Sequence, residues 1–137
     1  MNPMTDLNDI IADFQEVHDR MERLEMLFEL VEHLDPLPRE DWSDSTRVRG
    51  CQSEAHVEVT FGSKGAHLRG GGDAMIVQGL IALTAIAIEG RSPEQVRAMS
   101  PEFASEMGIL HSLTPSRSNG FRTMFDMVKR TAEEALT

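Results

Sequence analysis

The chain has 137 residues, 40% of them hydrophobic and 26% charged, which is enough for a core of its own and too apolar for a disordered segment. Thirteen basic against 23 acidic side chains give a formal net charge of −10, which argues against nucleic acid as a partner. The single cysteine excludes an intramolecular disulfide and a multi-cysteine zinc site, and fits a reducing, cytoplasmic setting.

We expect a single domain over residues 1–137. The opening MNPMTDLNDIIADF is acidic and has no basic residue, so it reads as neither a secretory signal nor an Arg-rich transit peptide. Residues 5–34 predict two helices or one kinked helix. Thr5 caps the start, and Leu7, Ile10, Ile11, Phe14 and Val17 recur at helical spacing. A second stripe follows with Met21, Leu24, Leu27, Phe28, Val31 and Leu34. Asp35-Pro36-Leu37-Pro38 stops the helix, because a proline disfavours helical geometry in the residue before it.

Over residues 46–70 the period changes to two. Ala55, Val57, Val59 and Phe61 alternate with Glu54, His56, Glu58 and Thr60, so one face is apolar and the other wet. Gly62-Ser63-Lys64-Gly65 is a turn, and pairing Phe61 with Ala66 sets Val59 opposite Leu68 and Glu58 opposite Arg69. Thr46 to Arg49 adds a third short strand, and Gly70-Gly71-Gly72 reads as a flexible joint before the next helix.

From Asp73 onward the pattern is helical. Asp73 is placed to cap a nearly all-apolar helix 74–89 that Gly90 ends. That helix would measure about 22 Å, short of a bilayer core of about 30 Å, so it is a core helix and no membrane span. Ser92-Pro93, Ser100-Pro101 and Thr114-Pro115 each offer a hydroxyl cap followed by proline, and Ser92 with Gln95 forms a capping box. The last helix, 115–135, sets Phe121, Met124, Phe125, Val128 and Ala132 on one face. Helices, antiparallel strands, then helices predict an α+β fold: a small antiparallel three-stranded sheet packed against helices.

Cys51 lies in VRGCQS, residues 48–53. A lone cysteine is by default a small buried hydrophobe. Here Gly50 permits a sharp turn, Gln52-Ser53 is polar, and the cations of Arg47 and Arg49 would lower the thiol pKa. An ordinary thiol is only about 3% ionised at pH 7, and each unit of lowering raises that several-fold. The five histidines, His18, His33, His56, His67 and His111, show neither metal-ligand spacing nor an orienting partner for a catalytic dyad. His56 and His67 are expected on the wet face of the sheet. The chemistry is therefore that of a thiol used alone, which suits carrying a group covalently.

GCQS at 50–53, the D-A-x-I-V-x-G-L-I-A-L block at 73–83, GRSPEQV at 90–96 and L-T-P-S-R-S-N-G at 113–120 resemble SufE-type proteins. The resemblance covers about residues 24–130. It implies the α+β fold shared with IscU-like cluster scaffolds and a partner cysteine desulfurase, SufS-like or CsdA-like. Cys51 would take a persulfide sulfur from that enzyme, stimulate its turnover and pass the sulfur to an iron–sulfur scaffold or other acceptor. No cofactor or metal is implied, and the scaffolds' three cysteines contrast with one here. Gly50 and Gln52 match the loop around the acceptor cysteine, and Asp73, Arg117, Ser118 and Asn119 match its surroundings and partner surface. Asp73 is then cap, contact or both, while Ser118 and Asn119 either line the site or only brace it. Glu54-Ala55-His56 departs from the family's Gln, Val and Trp. A docking module that regulates a desulfurase without carrying sulfur is the alternative, and monomer and homodimer both stay open.

Overall fold

The computed structural model describes residues 7–50 and 53–137. Thr5, Cys51 and Gln52, singled out above, lie outside the described residues. The N-terminal stripe resolves into two helices, α1 (Leu7–Gln15) and α2 (Arg20–Glu29). The break has a local cause: Asp19 is extended, and its carboxylate accepts from the Glu22 N–H to start a new helix. A 3-10 turn, Leu30–His33, follows.

The sheet contains β1 (Asp35–Pro36), β2 (Ala55–Gly62) and β3 (Gly65–Gly72) in the order β1-β3-β2. β2 and β3 pair antiparallel in the expected register, with Phe61 opposite Ala66, Val59 opposite Leu68 and Glu58 opposite Arg69. Two expectations change. The third strand is β1, which runs parallel to β3, so the sheet is mixed and not wholly antiparallel. Pro36 is tolerated there because β1 is an edge strand, where a missing N–H leaves no ladder bond unmade. Thr46–Arg49, expected as a strand, reduces to a single antiparallel bridge between Arg47 and His56.

Gly70-Gly71-Gly72 is no joint either; all three belong to β3. They keep side chains out of the way of neighbours on both faces. A Cβ on Gly70 would run into Ile81 Cγ2, and one on Gly71 would lie 3.0 Å from both the Leu37 carbonyl oxygen and Trp42 Nε1.

α3 (Met75–Ile88) lies across β3 and α2, with eleven of its residues buried. It starts from Ala74 with no side-chain cap, so Asp73 is not the cap. The Asp73 side chain is exposed and its N–H goes to the Glu54 carbonyl, while Gln78 Nε2 donates to the Gly72 carbonyl at 2.8 Å. Two of the remaining starts form as expected, whereas the helix after Ser100-Pro101 has Pro101 and not Ser100 at its N-cap. α4 (Pro93–Arg97) has the full Ser92–Gln95 capping box, and α5 (Glu102–Glu106) has Ser100 Oγ accepting from the Glu102 N–H. α6 (Pro115–Ala135) has Thr114 Oγ1 accepting from the Arg117 N–H. Phe103, Phe121 and Phe125 meet edge-on or tilted where α5 and α6 close the core, and each such buried ring contributes about 1.5–3 kcal/mol. Among the described residues no helix is long and apolar enough to cross a membrane.

Candidate functional site

The chain on either side of the cysteine is tied into a narrow neck. The Val48 N–H donates to the Ala55 carbonyl and the Val57 N–H to the Thr46 carbonyl, both at 2.8 Å. Val48 and Ala55 are buried, whereas Arg47, Arg49 and Gly50 are exposed. Gly50 has φ +77°, a left-handed conformation that glycine adopts without strain. The neck has a second fastening, the bond from the Asp73 N–H to the Glu54 carbonyl at 3.3 Å. Asp73 thus meets the cysteine-bearing segment through its backbone.

His56 is 2% exposed, against the expectation of a wet face. The face is the expected one, but Trp42 covers it: the indole stacks on the imidazole with centroids 4.5 Å apart and planes at 16°. Gly71, opposite His56 on β3, leaves the room the indole needs. Arg39 lies over the indole, 4.5 Å from its centroid. A buried ring must have both nitrogens partnered, and here Nδ1 meets Thr46 Oγ1 at 2.7 Å and Nε2 meets Glu54 Oε2 at 2.9 Å. The hydrogen bond from His56 holds the Glu54 carboxyl below the usual carboxylate range, against a smaller desolvation effect and with help from Arg47 and Arg39. Nothing in the alternating pattern pointed to this cluster. The visible signal was a tryptophan shortly before a strand whose facing strand carries consecutive glycines.

Beneath the neck lies an apolar cavity of about 10 Å³, bounded by Val48 and Ala55, by Val77, Leu80 and Ile81 of α3, and by Phe121 and Met124 of α6. Arg117 and Gly120 also line it. The cavity has room for about one water molecule. Arg117 Nη1 is buried and has no hydrogen-bond partner among the described residues. The other two polar residues of that stretch divide differently: Ser118 Oγ donates to the Leu110 carbonyl at 3.1 Å and braces the preceding loop, and Asn119 is exposed. Of the expected site residues, then, Arg117 comes to the neck through its side chain and Asp73 through its backbone. Gly50 stands at its edge.

Among the described residues, no group of three or more His, Cys, Asp or Glu is placed to hold a metal ion. His67 lies farther along the same sheet face, between two carboxylates: Nε2 is 2.8 Å from Asp35 Oδ2 and Nδ1 is 3.0 Å from Glu89 Oε1. Both bonds raise its pKa above 6.5, the Asp35 bond most, against a smaller desolvation effect. His33 and His111 are exposed, and His18 lies outside every helix and strand.

The family model for SufE, described as the Fe-S metabolism associated domain, matches residues 8–132. This chain belongs to the SufE family. Among its relatives, an uncharacterized SufE-like protein of Synechocystis sp. is 32% identical over 123 residues, covering 90% of this chain and 77% of that one. SufE-like protein 1, chloroplastic/mitochondrial, of Arabidopsis thaliana is 28% identical over 127 residues, covering 92% of this chain but 34% of its own length. The fold matches the solution structure of a hypothetical protein from Thermus thermophilus, with a TM-score of 0.80 at 23% identity over 95% of both chains. SufE membership gives the protein a role in iron–sulfur metabolism.

Proposed function

We propose that this SufE protein is a sulfur acceptor for a cysteine desulfurase, with Cys51 as the accepting thiol, in a reducing, cytoplasmic compartment. The Cys51 thiolate attacks the outer sulfur of a persulfide on the desulfurase's cysteine. A new S–S bond forms on Cys51, the old S–S bond breaks, and its electron pair leaves on the desulfurase thiolate. Sulfur changes carrier with no net redox, and the enzyme is freed for another turnover. Cys51, the only cysteine, cannot discharge the persulfide into an internal disulfide, so the sulfur goes to a second acceptor, such as a cluster scaffold.

The observation that carries this reading is that Arg117, whose buried Nη1 has no hydrogen-bond partner among the described residues, lines the cavity beneath the neck that holds the cysteine-bearing segment. An unpaired buried donor costs about 1–3 kcal/mol, and such a group points to a partner that arrives later. A persulfide is anionic at neutral pH, and a guanidinium N–H in an apolar setting is a strong donor for it. Incubation with a desulfurase, cysteine and limiting reductant should add the mass of one sulfur atom at Cys51 and raise desulfurase turnover. Cys51→Ser should abolish both effects. Stimulation that survives Cys51→Ser would replace the carrier by a docking module.

A further inference from the structure

We propose that an acid-rimmed apolar groove, running between α1 and α2 and on to the end of α3, docks a basic, apolar-anchored segment of a partner protein. α1 lies against α5 and α2 against α3, and between the first two helices an open seam remains. The seam holds about 400 Å³, with buried Phe14 and Leu30 as its floor and half-buried Ile10 and Met26 as its walls. Ile10 and Phe14 on one side, and Met26 and Leu30 on the other, are each spaced to share one helix face. At Glu32 and His33 the seam continues into a second hollow of about 370 Å³ over Leu68, Ala85 and Ile86. Each part is within the range of about 300–1,000 Å³ that binding clefts span.

Charge selects the occupant. Asp13, Glu29, Glu32, Asp35 and Glu89 rim the groove, and no Lys or Arg lines it among the described residues, although the chain has 13 of them. His67 engages Asp35 and Glu89. Asp13, Glu29 and Glu32 form no ion pair among the described residues. Such a rim repels nucleic acid and anionic lipid headgroups, and a second copy of this chain brings a net charge of −10 of its own. A segment with apolar side chains on one face and Lys or Arg beside them matches both floor and rim. The groove meets β3 at His67 and Leu68, whereas the neck meets it at Gly72, about 13 Å farther along the strand. No residue of the neck takes part, so the inference does not rest on the acceptor reading.

The probe is a short synthetic helix with Leu on one face and Lys on the other, titrated into the isotope-labelled full-length protein and followed by amide NMR. It should bind saturably and shift the amides of Ile10, Met26, Leu68 and Ile86, leaving those of the neck in place. A Ser/Lys helix of equal charge should bind at least about tenfold more weakly, and a Leu/Glu helix should not bind. Glu29→Gln combined with Glu32→Gln should weaken the Leu/Lys helix at least about fivefold. The matched pair Glu133→Gln and Glu134→Gln on α6 should keep its affinity within about twofold. All four glutamates are exposed, so the variants keep the fold, and a thermal melt checks this. Shifts scattered over the acidic surface, equal binding of the Ser/Lys helix, binding of the Leu/Glu helix or equal losses from the α6 pair would each overturn the proposal. So would a dimer in sedimentation velocity whose amide shifts map to the groove, which would assign it to a second copy.

Discussion

Arg117, in the first turn of the last helix, and Val48, at the entrance to the cysteine-bearing segment, line the same small apolar cavity. The guanidinium carries a buried Nη1 with no partner among the described residues. A group held this way weakens the fold slightly, and under the proposed function its partner is an arriving anion. Arg117→Met should therefore leave stability unchanged within about 1 kcal/mol, or raise it. Persulfide transfer to Cys51 should fall by about tenfold, equivalent to about 1.4 kcal/mol of lost charged hydrogen bonding. Urea unfolding and rapid-quench mass spectrometry measure the two; equal losses in both would make Arg117 a structural residue.

Thr114 holds the turn that carries Arg117, since its Oγ1 accepts from the Arg117 N–H. Thr114→Ala should cost about 1 kcal/mol of stability, seen as a melting temperature lower by about 3–5 °C. Thr114→Ser keeps the acceptor and should recover most of it.

His67 sets up a pH dependence of known sign. Its raised pKa means that it is bound to its carboxylates as the cation; a neutral imidazole has one N–H and cannot donate to both Asp35 and Glu89. The stabilisation is fully present below the unfolded value of about 6.5 and is lost as pH rises through the higher native value. Its side chain is 45% exposed, so solvent screening limits the effect to a few tenths of a kcal/mol. Urea midpoints across pH 5.5–8.5 should decline on the alkaline side more steeply for the parent than for His67→Gln. Parallel profiles would remove His67 as the cause.

Glycines of the hairpin divide into necessary and dispensable. Gly71→Ala would press a methyl group against the Leu37 carbonyl and the Trp42 indole, and should destabilise by about 1–3 kcal/mol. A methyl group at Gly62, at the turn, would meet nothing within 4 Å among the described residues, so Gly62→Ala should be neutral within about 0.5 kcal/mol. Denaturant midpoints compare the pair directly.

What was legible in the sequence was local. Alternation of Val57, Val59 and Phe61 against Ala66 and Leu68 gave the hairpin register, because a slip by one residue would turn every apolar side chain outward. The hydroxyl–proline pairs Ser92-Pro93 and Thr114-Pro115 gave two later helix starts, because a cap acts over three residues. What failed was non-local. Asp35-Pro36 becomes a parallel edge strand through contact with Arg69 and Gly70, which no neighbour in sequence announces. His56 is buried by Trp42 across the chain, and the glycine triplet looked flexible because glycine marks both freedom and close approach. The site divided along the same line: GCQS and PSRSNG were readable as motifs, while the cavity joining Arg117 to Val48 and Ala55 exists only in the folded chain.

Trp42 is the only tryptophan of the chain and there is no tyrosine. Its indole rests on the ring that fastens the segment's two ends. Emission from the native protein therefore originates at one known place, and a loosened stack would change its intensity with no attached dye. Any loosening of that fastening can be followed in real time from the molecule's own light.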